Sequence, residues 1–187
     1  MVVLSGPRLV LRDLEWDDFE AVHAYSARPE VARYQPWGPN TRVESRVFLE
    51  RALAAAQDVP RTIYQLGVTV ATSGQLIGTA ALTVHSFAFG QAELGYFLHP
   101  DAWGNGYATE AARMLLAFGF TELNLHRIFG TCDPRNTASA RVMENVGMVQ
   151  EGHLRETMRI RDGWRDSLIY SILADDFRHA AANPRTA

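Results

Sequence analysis

Two glycines separated by one residue, Gly104 and Gly106, follow a β-strand pattern and precede a helical pattern that begins near Ala108. Glycine adopts positive φ without steric cost and lets the backbone come close to a ligand. The free N–H groups in the first turn of the helix, together with the helix dipole, then attract an anion. The segment therefore predicts a phosphate or pyrophosphate site.

Two common nucleotide motifs do not fit this loop. A Walker loop needs a Gly-Lys-Ser/Thr sequence, and residues 103–110 contain no lysine. A dinucleotide-binding fingerprint needs a small residue at its sixth position, where this chain has Thr109, and it needs an early βαβ unit. Here the loop follows three strands with hairpin spacing. The glycine spacing alone also fits a tight turn that binds nothing.

Other side chains with reactive groups lie outside the glycine loop. Glu93, on the strand before the loop, has a carboxylate that fits an exposed or ion-paired strand residue. Cys132, the only cysteine, ends an apolar strand pattern, as buried cysteines commonly do, so we favour chemistry without a covalent intermediate. The six histidines show no paired ligand spacing, and we predict no metal site.

The elements that position these residues follow from hydrophobic periodicity and turn signals. A capping-box pattern at Thr41 to Glu44 starts one of the helices. The order predicts an α/β (α+β mixed) fold, with a central mixed, mostly antiparallel sheet of six to seven strands and helices on both faces. The predicted strands are 8–14, 62–71, 75–85, 91–98, 127–132, 148–161 and 165–173, and the predicted helices are about 17–27, 41–57, 108–122 and 136–145.

Length and composition limit the class of protein. The 187 residues suggest one domain, 1–187, with a frayed tail at about 180–187. The net charge of −3 argues against a nucleic-acid or membrane-surface binder, and no apolar stretch is long enough to span a bilayer. One cysteine excludes a disulfide scaffold, and the N-terminus lacks signal-peptide features. We expect a cytoplasmic protein.

Several motifs together resemble the GNAT N-acetyltransferase superfamily. Residues 103–111, Trp-Gly-Asn-Gly-Tyr-Ala-Thr-Glu-Ala, resemble its pyrophosphate loop. The segments around Ser139, Gly147 and Glu151 resemble its ribosomal-protein branch, the RimJ/RimL group, and those at 92–96 and 162–167 fit the same branch. The motifs occur in the family's order, and the resemblance extends over residues 8–177.

The resemblance implies acetyl transfer from acetyl-CoA to a primary amine. Glu93 would take the proton of the amine, a main-chain N–H near Phe97 or Leu98 would stabilise the thioester oxygen, and Asn136 would bind the pantetheine amides, a role compatible with capping a helix. The residues implied to bind the cofactor are Phe97, Leu98, Trp103, Gly104, Asn105, Gly106, Ala108, Thr109, Asn136 and Ser139.

Two positions depart from the family pattern. The loop usually opens with Gln or Arg, where this chain has Trp103, but the backbone donors do not depend on that side chain. Many members use a tyrosine of the last helix to protonate the leaving thiolate, and the corresponding residue here is Met143. In the resembling branch a serine is the proposed substitute, and Ser139 matches it.

The amine acceptor is expected opposite the cofactor, near Tyr34, Trp37, Glu156 and Trp164. Aromatic and carboxylate side chains suit an amine, but they equally suit a packed loop and a hairpin rim. Our leading expectation is a protein or peptide N-terminal amine. The alternatives are a small-molecule amine such as an antibiotic or polyamine, and a non-catalytic acyl-CoA-binding module. The resemblance is compatible with a homodimer.

Overall fold

The structure is a computed structural model that describes residues 1–182, with side chains to residue 179. In this part of the chain eight strands form one sheet in the order β1-β2-β3-β4-β5-β6-β8-β7. The strands are β1 (Val3–Ser5), β2 (Leu9–Asp13), β3 (Ile63–Val70), β4 (Leu76–Ser86), β5 (Gln91–Leu98), β6 (Arg127–Cys132), β7 (Val149–Ile160) and β8 (Gly163–Leu173). The helices are α1 (Phe19–Ser26), α2 (Arg42–Ala55), α3 (Tyr107–Thr121), α4 (Thr137–Asn145) and α5 (Ala174–Ala182).

Successive side chains of each strand alternate between the two faces of the sheet. Both faces therefore carry apolar side chains, and helices cover both. On one face α3 buries Leu115 and Leu116 completely against residues such as Ala80 of β4. Thr79, which precedes Ala80 in β4, faces the opposite side of the sheet. There its hydroxyl is 2.8 Å from the Tyr25 hydroxyl of α1. The two cores are thus separated by a single sheet. No helix in the described residues is long and apolar enough to cross a membrane.

The arrangement confirms the predicted fold class, with one strand more than expected. The additional strand, β1, has three residues and no hydrophobic alternation, and it is held at the sheet edge by pairing with β2. Helix α5 was also not predicted; Phe177 on it packs against Phe120, with ring centroids 5.1 Å apart. The predicted tail begins inside α5, and residues 183–187 lie outside the described part. The capping box at Thr41 and Glu44 is present as predicted.

One pair of strands interrupts the regular sheet. All neighbouring strands are antiparallel except β5 and β6, which are parallel. They pair over three residues only, Gln91–Glu93 with Arg127–Phe129. Beyond Glu93 the two strands diverge, so that the sheet opens in its middle.

Candidate active site

The opening between β5 and β6 leads into a cleft of about 820 Å³. Loops and helices from both faces of the sheet line it, including the first turns of α3 and α4 and the loop after α1. The cleft brings together most of the predicted site residues: Tyr34, Glu93, Phe97, Leu98, Trp103, Gly104, Gly106, Ala108, Thr109, Asn136 and Ser139. Residues remote in sequence therefore share one cavity.

The main chain of β5 supplies hydrogen-bond donors to this opening. The His99 N–H donates to the Ile77 carbonyl of β4 at 2.8 Å. In an antiparallel ladder alternate residues face alternate neighbours, so the main-chain groups of Phe97 point to β4 and those of Leu98 point to the opening. The Trp103 indole N–H donates to the Leu98 carbonyl at 2.9 Å, which agrees with that orientation. Of the two predicted oxyanion donors, the geometry favours Leu98.

The glycine loop adopts the conformation that its sequence predicts. Gly104 has φ of +76° and Gly106, the N-cap of α3, has φ of +74°. No side chain caps this helix, so the N–H groups of its first turn have no intrahelical or side-chain acceptor. Asn105 does not line the cleft; its side chain donates to the carbonyls of Ala102 and Trp103 and braces the turn. The loop is a cradle of backbone donors that fits a pyrophosphate.

Arg8 and Glu110 hold this loop in place, and sequence reasoning did not identify either residue. Arg8 Nε lies 2.7 Å from Glu110 Oε2, and Arg8 Nη1 donates to the Asn105 carbonyl at 2.9 Å. The guanidinium also lies over the Tyr107 ring, 4.9 Å from its centroid. These contacts join the start of β2 to the loop, although the residues are about a hundred positions apart in the sequence. No local sequence pattern indicates such contacts.

The first turn of α4 presents Asn136 and Ser139 to the cleft. Asn136 is the N-cap, and its Oδ1 accepts the Ser139 N–H at 3.2 Å. The Ser139 hydroxyl lies 3.0 Å from the Tyr96 hydroxyl of β5. Met143, one turn further along α4, is buried, with its sulfur facing Gly130.

Two variants of Asn136 separate capping from cofactor contact. Asn136→Ala should lower the free energy of unfolding by about 1 kcal/mol, whereas serine, also a good N-cap, should preserve it. Both variants should bind acetyl-CoA more weakly, because both lack the carboxamide. Urea unfolding and calorimetric titration measure the two effects. Wild-type acetyl-CoA affinity in Asn136→Ser would leave Asn136 as a helix cap alone.

Glu93 lies at the floor of the opening, at the last paired position of β5 and β6. Its Oε2 is 3.3 Å from the His85 Nε2 of β4, and its side chain is 39% exposed. The His85 ring in turn packs against Phe129, with centroids 5.4 Å apart. Glu93 is thus a partly paired carboxylate that remains accessible to water and to an amine entering the cleft.

The hairpin formed by β7 and β8 holds the loop between α1 and α2 against the cleft. Arg165 of β8 donates to the Tyr34 carbonyl at 2.7 Å, and Arg161 donates to the Trp37 carbonyl at 3.2 Å. The Tyr34 hydroxyl donates to the Arg135 carbonyl at 3.4 Å. These contacts fix one wall of the cleft, where the loop after α1 meets β8 and the segment after β6.

Three residues expected near the acceptor do not line the cleft. Trp37 packs edge-on against the Phe97 ring at 5.0 Å, within the core under α1 and α2. Trp164 points outward and is 62% exposed, because strand alternation turns its neighbour Arg165 inward instead. Glu156 lies in an irregular part of β7 with φ of +51°. The hairpin contributes Met158 and Arg165 to the cleft, and only the strand register could have indicated them.

Asp133, at the end of β6, anchors Arg135 on the same wall. Its carboxylate is buried and accepts from Arg135 Nε at 2.9 Å and Nη2 at 2.7 Å. Burial raises the pKa of Asp133, but the hydrogen bonds from Arg135 outweigh burial and hold it below its usual value. Arg135 also pairs with the exposed Asp162 at 2.7 Å.

Asp133→Asn should therefore destabilise the protein. We expect the free energy of unfolding at pH 7 to fall by about 1–3 kcal/mol, because a buried group loses its charged hydrogen bonds. Since the pKa of Asp133 is lower in the folded chain than in the unfolded one, its stabilisation is full above about pH 4 and disappears as the pH falls through the folded-state pKa. Urea unfolding between neutral and acidic pH tests this, with Asp162→Asn as the exposed control that should change little. Equal losses in both variants would contradict the prediction.

The comparisons with known proteins agree with this geometry. A family model described as an acetyltransferase (GNAT) domain matches residues 8–149. The uncharacterized N-acetyltransferase YnaD of Bacillus subtilis is 33% identical over 93% of this chain and 98% of its own length. A spermidine N-acetyltransferase from Vibrio cholerae, solved with CoA and spermine, is 25% identical with a TM-score of 0.80, covering 92% of this chain and 99% of that one.

RimJ of Mycobacterium smegmatis, solved with CoA-disulfide, shares the fold at 24% identity and a TM-score of 0.80, over 98% of this chain and 94% of that one. The resemblance to the GNAT N-acetyltransferase superfamily is confirmed, and so is the class of enzyme. The chain belongs to the GNAT acetyltransferase family and is an N-acetyltransferase, in a family that uses acetyl-CoA.

Proposed function

We propose that this enzyme transfers an acetyl group from acetyl-CoA to the N-terminal amine of a protein or peptide, by direct attack in a ternary complex. The observation that carries the proposal is that the described lining of the cleft forms no strongly acidic groove. The cleft is lined by Arg33, Arg135, Arg141 and Arg165 and by the carboxylates of Glu30 and Glu93, and Arg135 is already paired with Asp133 and Asp162. Because positive and negative charges are nearly balanced there, nothing in the lining selects a polycation, whereas a peptide end brings one amine and several neutral amide groups.

The residues of the cleft divide the reaction between its two sides. On the cofactor side, the first-turn N–H groups of α3 bind the pyrophosphate, and Asn136 and the main chain of β5 bind the pantetheine arm. When bound, acetyl-CoA supplies an activated thioester whose carbonyl oxygen gains negative charge during attack. The Leu98 N–H points to the opening and donates to that oxygen.

The remaining two steps concern protons and the leaving group. Glu93 at the floor of the opening accepts the proton that the attacking amine must lose, directly or through water. Ser139 donates a hydrogen bond to the sulfur as the C–S bond breaks. Arg165 and the loop that contains Tyr34 position the acceptor, because together they form a fixed wall of the cleft.

Initial rates on matched acceptors test the proposal. The panel contains short peptides with a free N-terminus, the same peptides with a blocked N-terminus and one lysine, and spermidine; mass spectrometry locates the acetyl group. We expect acetylation of the α-amine, with kcat/KM well above that for spermidine. Faster acetylation of spermidine would assign the enzyme to small polyamines. Tight acetyl-CoA binding without transfer to any amine would instead favour a non-catalytic module.

A further inference from the structure

Tyr96 and Ser139 form a pair of hydroxyl groups inside the cleft. Tyr96 comes from β5, on the diverging part of the strand, and Ser139 from the first turn of α4; both line the cavity. The Tyr96 oxygen is 3.0 Å from the Ser139 hydroxyl and also 3.0 Å from the Ser139 carbonyl. The pair therefore bridges the two elements that enclose the predicted pantetheine site.

The two distances allow two hydrogen-bond arrangements, because a phenol carries one proton. In the first, Tyr96 donates to the Ser139 carbonyl and the Ser139 hydroxyl donates to Tyr96. In the second, Tyr96 donates to the Ser139 hydroxyl, whose own proton is then free to point elsewhere in the cleft. The tyrosine can change between them without moving its ring, since both acceptors lie at the same distance.

We propose that Tyr96 is a positioning residue that directs the Ser139 hydroxyl towards the leaving sulfur. As the C–S bond breaks, its electron pair stays on the sulfur. The Ser139 hydroxyl donates a hydrogen bond to the thiolate that forms. Tyr96 at the same time donates its own hydrogen bond to the Ser139 oxygen. Neither residue is deprotonated; the released thiolate takes its proton from water. Such a chain strengthens the serine hydrogen bond, because each hydroxyl polarises the next. The inference rests on acetyl transfer from acetyl-CoA at this cleft.

The surroundings of Tyr96 suit a permanent donor. Burial raises the pKa of Tyr96, and its hydrogen bond to Ser139 only partly opposes this, so the phenol keeps its proton throughout the working pH range. Cys132 of β6 is the other titratable group that acts on it, and burial raises the pKa of that thiol to about 11, so it stays neutral. Met143, where many relatives have a tyrosine, cannot supply the donor itself.

The test combines kinetics with the acidity of the CoA thiol. Tyr96→Phe should lower kcat by about 10-fold, because the Ser139 hydroxyl loses the donor that orients and polarises it, without changing the Kd for acetyl-CoA. Because the two hydroxyls act in series, Tyr96→Phe/Ser139→Ala should be no slower than Ser139→Ala. Tyr25→Phe, which removes a buried tyrosine–threonine hydrogen bond outside the cleft, is the control for stability and should keep the wild-type kcat.

The thiol titration needs no acceptor, so it distinguishes failure of this inference from failure of the acceptor assignment. Thiolate absorbance of protein-bound CoA, with desulfo-CoA as the reference for protein tyrosines, reports the pKa of the bound thiol. Both Tyr96→Phe and Ser139→Ala should raise that pKa relative to the wild-type complex, and Tyr25→Phe should not. An unchanged thiol pKa in Tyr96→Phe, a wild-type kcat, or multiplicative losses in the double variant would overturn the proposal.

Discussion

Gly106→Val is expected to abolish measurable acetyl-CoA binding. Gly106 has φ of +74°, a conformation that a β-branched residue adopts only with strain. The nearest atom to a new Cβ would be Arg8 Nη2, at 3.5 Å, so there is space for the side chain and the strain lies in the backbone. Relief of that strain rotates the N–H groups of the first turn of α3. The loss of two charge-assisted hydrogen bonds between these N–H groups and the pyrophosphate would weaken acetyl-CoA binding by at least about 100-fold. Calorimetric titration would measure this loss.

Gly74 provides a matched control for this variant. It has φ of +69°, lies in the turn between β3 and β4 outside the cleft, and has no atom within 4 Å of the position that a Cβ would occupy. Gly74→Val therefore introduces similar backbone strain without touching the cradle, and it should bind acetyl-CoA as the wild type does. Wild-type affinity in Gly106→Val would refute the loop assignment. Loss of binding in both variants would mean that backbone strain alone explains the effect.

Glu93→Gln is expected to give the second large effect, a fall in kcat of about 10²- to 10⁴-fold with little change in the Kd for acetyl-CoA. The carboxamide has the shape of the carboxylate but cannot accept the proton of the amine. The defect should shrink at high pH, because a peptide α-amine, with a pKa of about 8, is then already neutral. Steady-state rates between pH 6 and about 10 would show this convergence of variant and wild type.

The control for Glu93 is Glu50→Gln, which removes an exposed carboxylate of α2 that does not line the cleft. It should retain the wild-type rate at every pH. Wild-type rates in Glu93→Gln across the pH range would remove Glu93 from the mechanism. A parallel loss of acetyl-CoA affinity would assign it a structural role with its partner His85.

The local geometry of the glycine loop and of the start of α4 was predictable because the residues that set it are close together in sequence. The positive φ at Gly104 and Gly106 and the uncapped start of α3 are local properties of residues 103–109. Asn136 and Ser139 are likewise one turn of a single helix. Periodicity also predicted all strands with clear alternation. It missed β1, which has three residues, and α5, which follows β8 without an intervening loop.

The acceptor side depends on contacts that local patterns do not encode. Whether Trp164 or Arg165 turns into the cleft is decided by the register of β7 with β8, and a shift by one residue would exchange them. The Tyr96–Ser139 pair depends on how far β5 diverges from β6, and the Arg8–Glu110 brace joins distant parts of the chain. Tertiary packing sets these relations, so the acceptor residues were the least well predicted.

The most direct test of the cofactor assignment is the thermal unfolding of the wild-type protein with acetyl-CoA, with NAD and ATP as controls. A ligand at 100 times its Kd adds about 2.7 kcal/mol to the stability of the folded state, which raises Tm by roughly 5–10 °C for a chain of this size. We expect this rise with acetyl-CoA and none with NAD or ATP, because the cleft continues from the pyrophosphate cradle into the opening between β5 and β6. An unchanged Tm with saturating acetyl-CoA would contradict the assignment of the cleft.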